Sequence, residues 1–136
     1  QPLLEYEACF SASINLAKHI KDKQIDWDRL KNSVHTGVHL LDNCIDLCNY
    51  PSSYVKHTME GTRRIALGVM GFADLLIRME VAYNSEKGIK IGEEIIKFIS
   101  DEAKEASRKI AVKRGTFKWF DKSVYAKKNL KYRNRL

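Results

Sequence analysis

Long apolar runs are what these 136 residues lack. The best candidate, residues 63–79, falls short of the roughly 20 apolar residues that a membrane span needs, and it carries Arg63, Arg64, Asp74 and Arg78. No membrane partner is expected. Residues 1–16 hold two glutamates and no basic cap before an apolar run, so no leader peptide is expected there either. Cysteine is scarce and odd in number: Cys9, Cys44 and Cys48 have no framework spacing. That argues against a disulfide-stapled secreted scaffold and for a reducing compartment, the cytoplasm. Internal repeats and low-complexity tracts are absent, and 44% hydrophobic with 10% aromatic residues is the composition of a folded globular domain.

Acid is scarce in one region only. From Arg108 onward, eleven Lys/Arg face a single acid, Asp121, whereas the preceding residues carry thirteen Lys/Arg against sixteen Asp/Glu. The net charge of +7 is therefore a property of the C-terminal end. A solvated charge run is the ordinary explanation, and a strip for nucleic acid or another acidic partner is the functional one.

The order of elements follows from periodicity and punctuation. Residues 8–16 are small or apolar without a helical ladder and read as a strand covered on both faces, with no obvious second strand to pair it. Residues 18–24 read as a polar connector. Asp26 is a good N-cap, and Trp27, Leu30, Val34, Val38, Leu41, Ile45 and Cys48 recur at three-or-four spacing, predicting a helix over 26–49 that Pro51 cannot continue. Ser52 or Ser53 can cap a helix over 53–60. Residues 63–79 are apolar on all sides and read as a buried helix, with Gly68 and Gly71 as points of close backbone approach. Ser85 caps a long amphipathic helix over 86–114 that closes at Gly115. A basic tail over 116–136 follows.

Several residues could carry chemistry. His35 and His39 lie one helical turn apart with Asp42 a turn further, yet no third ligand has a metal motif's spacing, and no metal site is expected. Cys44 and Cys48 share a helix face, where Cβ atoms about 5–6 Å apart exceed disulfide geometry, so core packing is their reading. Gly68-Val-Met-Gly71 lacks the spacing and context of a phosphate loop. Cys9, in a strand, is inert in isolation and placed for redox work if that strand lines a site; composition leaves both open.

Sequence resemblance addresses that choice. Gln1-Pro-Leu-Leu4, Tyr6-Glu-Ala-Cys9, Ser13-Ile-Asn-Leu-Ala-Lys18, Ile25-Asp-Trp-Asp-Arg-Leu30, Leu41-Asp-Asn43, Tyr50-Pro51, Arg63-Arg-Ile65, Leu67-Gly-Val-Met-Gly-Phe-Ala-Asp74, Arg114-Gly115 and Trp119-Phe120 run in order through the chain. In these the chain resembles the catalytic subunit of ribonucleotide reductase, most closely the adenosylcobalamin-dependent class. The resemblance implies a ten-stranded α/β barrel that converts ribonucleotides to deoxyribonucleotides by a thiyl radical, with a barrel cysteine pair supplying two electrons. Cys9 aligns with the second cysteine of that pair. The family's radical loop would lie before Gln1 and its phosphate loop after Asn134, outside these residues. Phe10-Ser-Ala12 departs from the family's usual Asn-Leu-Gly.

The expected fold is therefore mainly α, a helical segment with one N-terminal strand, derived from that barrel. The expected function is part of a ribonucleotide reductase with Cys9 as its catalytic residue. Adenosylcobalamin serves the intact enzyme, and none is expected on this chain alone. The partners implied are the remaining reductase chain, a ribonucleotide substrate and a thioredoxin-like dithiol. Alone the chain should not turn over, and its uncovered apolar helix should drive homo-oligomer formation. The rival reading is a stand-alone helical binding module whose basic end, with Phe117, Trp119, Phe120, Tyr125 and Tyr132, holds nucleic acid or an acidic partner.

Overall fold

A computed structural model describes residues 3–127. The elements in chain order are β1 (Phe10–Asn15), β2 (Ile20–Lys21), β3 (Gln24–Ile25), α1 (Trp27–Leu47), α2 (Ser53–Thr62), β4 (Ile65–Met70), α3 (Phe72–Arg78), α4 (Glu86–Arg114) and α5 (Val124–Lys127). Helix dominates. Among the described residues, none of the helices is long and apolar enough to cross a membrane.

Local chemistry accounts for the helix ends. Asp26 accepts from the Arg29 amide at the start of α1, Ser52 from Val55 at the start of α2, and Ser85 from Gly88 at the start of α4. Each satisfies an amide that the first turn leaves unbonded. Gly115, at φ +83°, ends α4, with Lys113 and Arg114 in its last turn.

The buried helix expected over 63–79 is not formed. Arg63, in the left-handed region at φ 47°, terminates α2; residues 65–70 are a strand; Gly71, at φ 73°, turns the chain into the short α3. Ile65, Leu67 and Val69 alternate with Ala66, Gly68 and Met70, a period of two inside a run that also satisfies a helical count. What selects the strand is a partner: β4 pairs in parallel with β1, from Phe10 opposite Ile65 to Asn15 opposite Met70. The expectation of a single strand without a neighbour is corrected by the same pairing. The two glycines therefore serve a strand and a turn. A Cβ on Gly71 would lie 2.6 Å from Asn15 Oδ1, and its positive φ independently disfavours a side chain.

Two smaller corrections concern the N-terminal part. The strand begins at Phe10, one residue beyond Cys9, and only one of its faces is covered: Ile14 is buried while Ser11 and Ser13 are exposed. The presumed polar connector instead contains a hairpin of β2 and β3, turned by Asp22 and Lys23, both at positive φ.

The covered face of the sheet lies against α1, and α4 packs against α1 in turn. Leu30, Val34 and Val38 of α1 meet Ile91, Ile95 and Ile99 of α4, with Leu75 and Leu76 of α3 in the same cluster. Trp27 and Phe98 close one end with ring centroids 4.8 Å apart. Gly37 allows β4 close to α1, since a Cβ there would lie 3.1 Å from Leu67. Of the run 63–79 expected to need covering, Leu75 and Leu76 are buried in this core and Ile65, Leu67, Val69, Phe72 and Met79 pack against it. The helix that motivated self-association is thus absent.

Candidate functional site

Cys9 stands at the head of β1, half-buried, with its thiol donating to the Phe10 carbonyl at 3.5 Å. The approach to it is fixed from three sides. The Ala8 amide contacts Met59 Sδ of α2 at 3.2 Å, and Met59 is fully buried. Tyr6, at φ 58°, stacks on Tyr54 with centroids 5.5 Å apart. Glu7 folds back so that its Oε2 accepts from the Leu4 amide at 2.8 Å.

The electrostatics at this point come from Glu7 and Arg64. Register places Arg64 one residue ahead of Ile65, the partner of Phe10, so Arg64 and Cys9 occupy matching positions at the heads of their strands. Arg64 Nε lies 3.2 Å from Glu7 Oε1, and the Glu7 side chain is wholly inaccessible to solvent. Among the described residues that oxygen has no hydrogen-bond partner, so the contact is ionic proximity rather than a directed hydrogen bond. Burial pushes the Cys9 thiol above its ordinary value; Arg64 pulls it back and Glu7 adds to the rise.

Beyond Cys9 the open face of the sheet continues through Ser11 and Ser13 on β1 and Gly68 and Met70 on β4. It is small and polar apart from Met70. Arg64 also lines a groove of about 1130 Å³, together with Ile65, Leu67, Ile99, Ala103 and Tyr125.

The remaining candidates are spread elsewhere. His35 bonds Glu102 of α4 at 2.7 Å, and His39 faces the Arg114 guanidinium at 3.1 Å. Asp42 is fully buried and pairs with Arg63 and Arg114 rather than with either imidazole. Among the described residues no group of three or more His, Cys, Asp or Glu could hold a metal ion. Cys44 and Cys48 are both free and half-buried. The aromatic C-terminal end divides. Phe117 and Phe120 are buried edge-to-face at 5.5 Å, and Trp119 sits over Gly61 and against His57. Lys118 is bound to Glu60. These aromatics are packed rather than presented for base stacking. Tyr132, Lys128, Lys131 and Arg133 lie outside the described residues.

Sequence reasoning passed over Glu7 and Arg64 as functional groups. The available signal was a glutamate two residues before a strand cysteine; the matching arginine becomes visible only through the parallel pairing.

Comparison with known proteins gives a consistent result. A family model for the barrel domain of ribonucleotide reductase matches residues 1–135. The chain is 46% identical over 135 residues to a vitamin B12-dependent ribonucleoside-diphosphate reductase of Thermoplasma acidophilum, covering 98% of this chain and 18% of that protein. It is 40% identical over 126 residues to the protein of the same description from Mycobacterium tuberculosis, covering 93% and 18%. A ribonucleoside-diphosphate reductase subunit alpha of Chlamydia pneumoniae is 35% identical over 113 residues, covering 83% and 11%. The chain therefore spans less than a fifth of the length of these curated relatives.

Proposed function

The chain belongs to the ribonucleotide reductase family, within its barrel domain, and from that premise we propose that Cys9 is one of two thiols that deliver electrons to a ribonucleotide. The observation that carries the reading is the position of Cys9: at the head of a parallel strand, half-buried, beside a polar open sheet face in a family whose chemistry is reductive. Reduction of the substrate takes two electrons from two thiols and leaves a disulfide between Cys9 and a second cysteine in the remainder of the enzyme. A dithiol protein then restores both thiols by exchange.

The intact enzyme is proposed to use adenosylcobalamin, in line with the names of the relatives; that cofactor supplies the radical that opens the reaction. The chain's own part is thiol chemistry and the walls around it. Its four histidines are engaged otherwise: His19 with Asn15 and Ser33, His35 with Glu102, His39 with Arg114 and His57 against Trp119. In this reading the cofactor is assigned to the rest of the enzyme. So is the radical loop, and the chain alone is proposed to be inactive.

Complementation tests the reading. This chain, grafted in place of the matching segment of the Thermoplasma acidophilum relative, should support dithiol-dependent ribonucleotide reduction, and Cys9→Ser in the graft should abolish repeated turnover. Undiminished turnover by the Cys9→Ser graft would overturn the assignment, and turnover by the isolated chain would overturn its dependence on a companion.

A further inference from the structure

We propose that Arg64, paired with the buried carboxylate of Glu7, is a positioning residue that stabilises the thiolate of Cys9 when a disulfide at that sulfur is broken. The inference deepens the redox reading of Cys9 and rests on it. Three observations carry it. The parallel register sets Arg64 level with Cys9 at the strand heads. The Glu7 side chain is fully buried two residues before the thiol, with Arg64 Nε 3.2 Å from its Oε1. Among the described residues that oxygen receives no hydrogen bond, so the arginine charge is its principal compensation. Arg64 and Glu7 are, among the described residues, charged side chains that act on the Cys9 thiol with opposite signs, against the background of its burial.

The backbone explains why the arginine arrives there. Arg63 ends α2 in the left-handed region, and its guanidinium is drawn into the helical layer by Asp42 and Asp46. The next residue, Arg64, is turned toward the sheet and the Glu7 carboxylate. One turn thus sends two adjacent cations to two different acids.

The step it serves balances as follows. In the oxidised enzyme the Cys9 sulfur is bonded to the sulfur of a second cysteine. A thiolate of a dithiol reductant attacks that second sulfur, the disulfide bond breaks, and Cys9 departs with the electron pair as a thiolate. It then takes a proton from water. The second thiol of the reductant resolves the mixed disulfide, so the dithiol is oxidised by two electrons and the cysteine pair is reduced by two. A leaving thiolate departs faster when its negative charge is stabilised. The strand register sets Arg64 beside the sulfur, and Glu7, by its own charge, limits how far the thiolate is favoured.

Alkylation of the isolated chain tests this without any reductase turnover, so its outcome is separate from that of complementation. With Cys44→Ser and Cys48→Ser making Cys9 the sole thiol, the rate with iodoacetamide is followed from pH 6 to 10.5. Arg64→Gln should slow alkylation at pH 8 by about three- to tenfold, an upward shift of half to one pH unit in the profile. Glu7→Gln should move the profile in the opposite direction, and Arg64→Lys should recover most of the lost rate. The high-pH plateau reports access to the sulfur and separates a loosened chain from a changed charge. Should Arg64→Gln fail to fold, the sign of the Glu7→Gln shift decides alone. Profiles of both glutamine variants within twofold of the parent, or shifted in the same direction, overturn the proposal.

Discussion

Arg63 and Arg64 are adjacent in the chain and end in opposite surroundings. Under Arg63 the charges close within the chain: the guanidinium bonds Asp42 and Asp46 of α1, and Arg114 from the end of α4 reaches the other Asp42 oxygen at 2.8 Å and Asn43 at 2.7 Å. Burial works against the Arg63 charge, and hydrogen bonds to Asp46 and Asp42 outweigh it, so its pKa rises. Beside Arg64, among the described residues, Glu7 keeps an oxygen without a hydrogen bond, and Ser11, Ser13, Gly68 and Met70 are exposed. The first cluster ties helices together and needs nothing further. The second borders an exposed sheet face of mostly small side chains.

The contrast breaks first at Arg63. Arg63→Ala leaves Asp42 buried without its main partner, and removing one member of such a pair costs about 3–5 kcal/mol. Urea unfolding should show that loss as a lower midpoint with an unchanged slope, whereas a loss below 1 kcal/mol would make the cluster peripheral.

A smaller effect lies where α1 meets α4. The Glu102 carboxyl is held below the usual range by its hydrogen bond from His35 and then by Lys31. A carboxyl depressed in the folded state adds stability above its unfolded value of about 4.3, and that increment is lost as pH falls through the lower folded value. Thermal melts from pH 7 down to 3 should therefore show a steeper acid decline for the parent chain than for Glu102→Gln. The difference near neutrality should be about 1 kcal/mol or less for a pair this near the surface.

The least effect belongs to the open face. Ser13→Thr, on an exposed site opposite Gly68, should change the stability of the isolated chain by no more than about 0.5 kcal/mol. The same substitution in the grafted enzyme should impair turnover if Cys9 reacts as proposed, because the open face borders that thiol. Equal indifference in both settings would remove the distinction between the closed and open regions.

Much of the architecture could be read directly from the residues. Asp26, Ser52, Ser85 and Gly115 mark helix ends because a cap is a contact between a side chain or a permissive backbone and amides a few positions away. The three-or-four ladders of α1 and α4 are equally local, and they place Leu30, Val34, Ile95 and Ile99 in the core without knowledge of what they touch. Family membership, too, was written in the order of short motifs, and with it the expectation for Cys9.

What the tertiary structure decided is the fate of residues 63–79 and everything that hangs on it. Ile65, Leu67 and Val69 fit a helical count and a strand alternation together, and no local rule separates them. The choice is made by β1, far away in sequence, whose unpaired amides and carbonyls gain a parallel ladder only if residues 65–70 extend. That ladder sets Arg64 beside Cys9 and turns Arg63 toward Asp42. Neither neighbourhood is encoded by nearness along the chain, because hydrogen bonding between strands is satisfied across space.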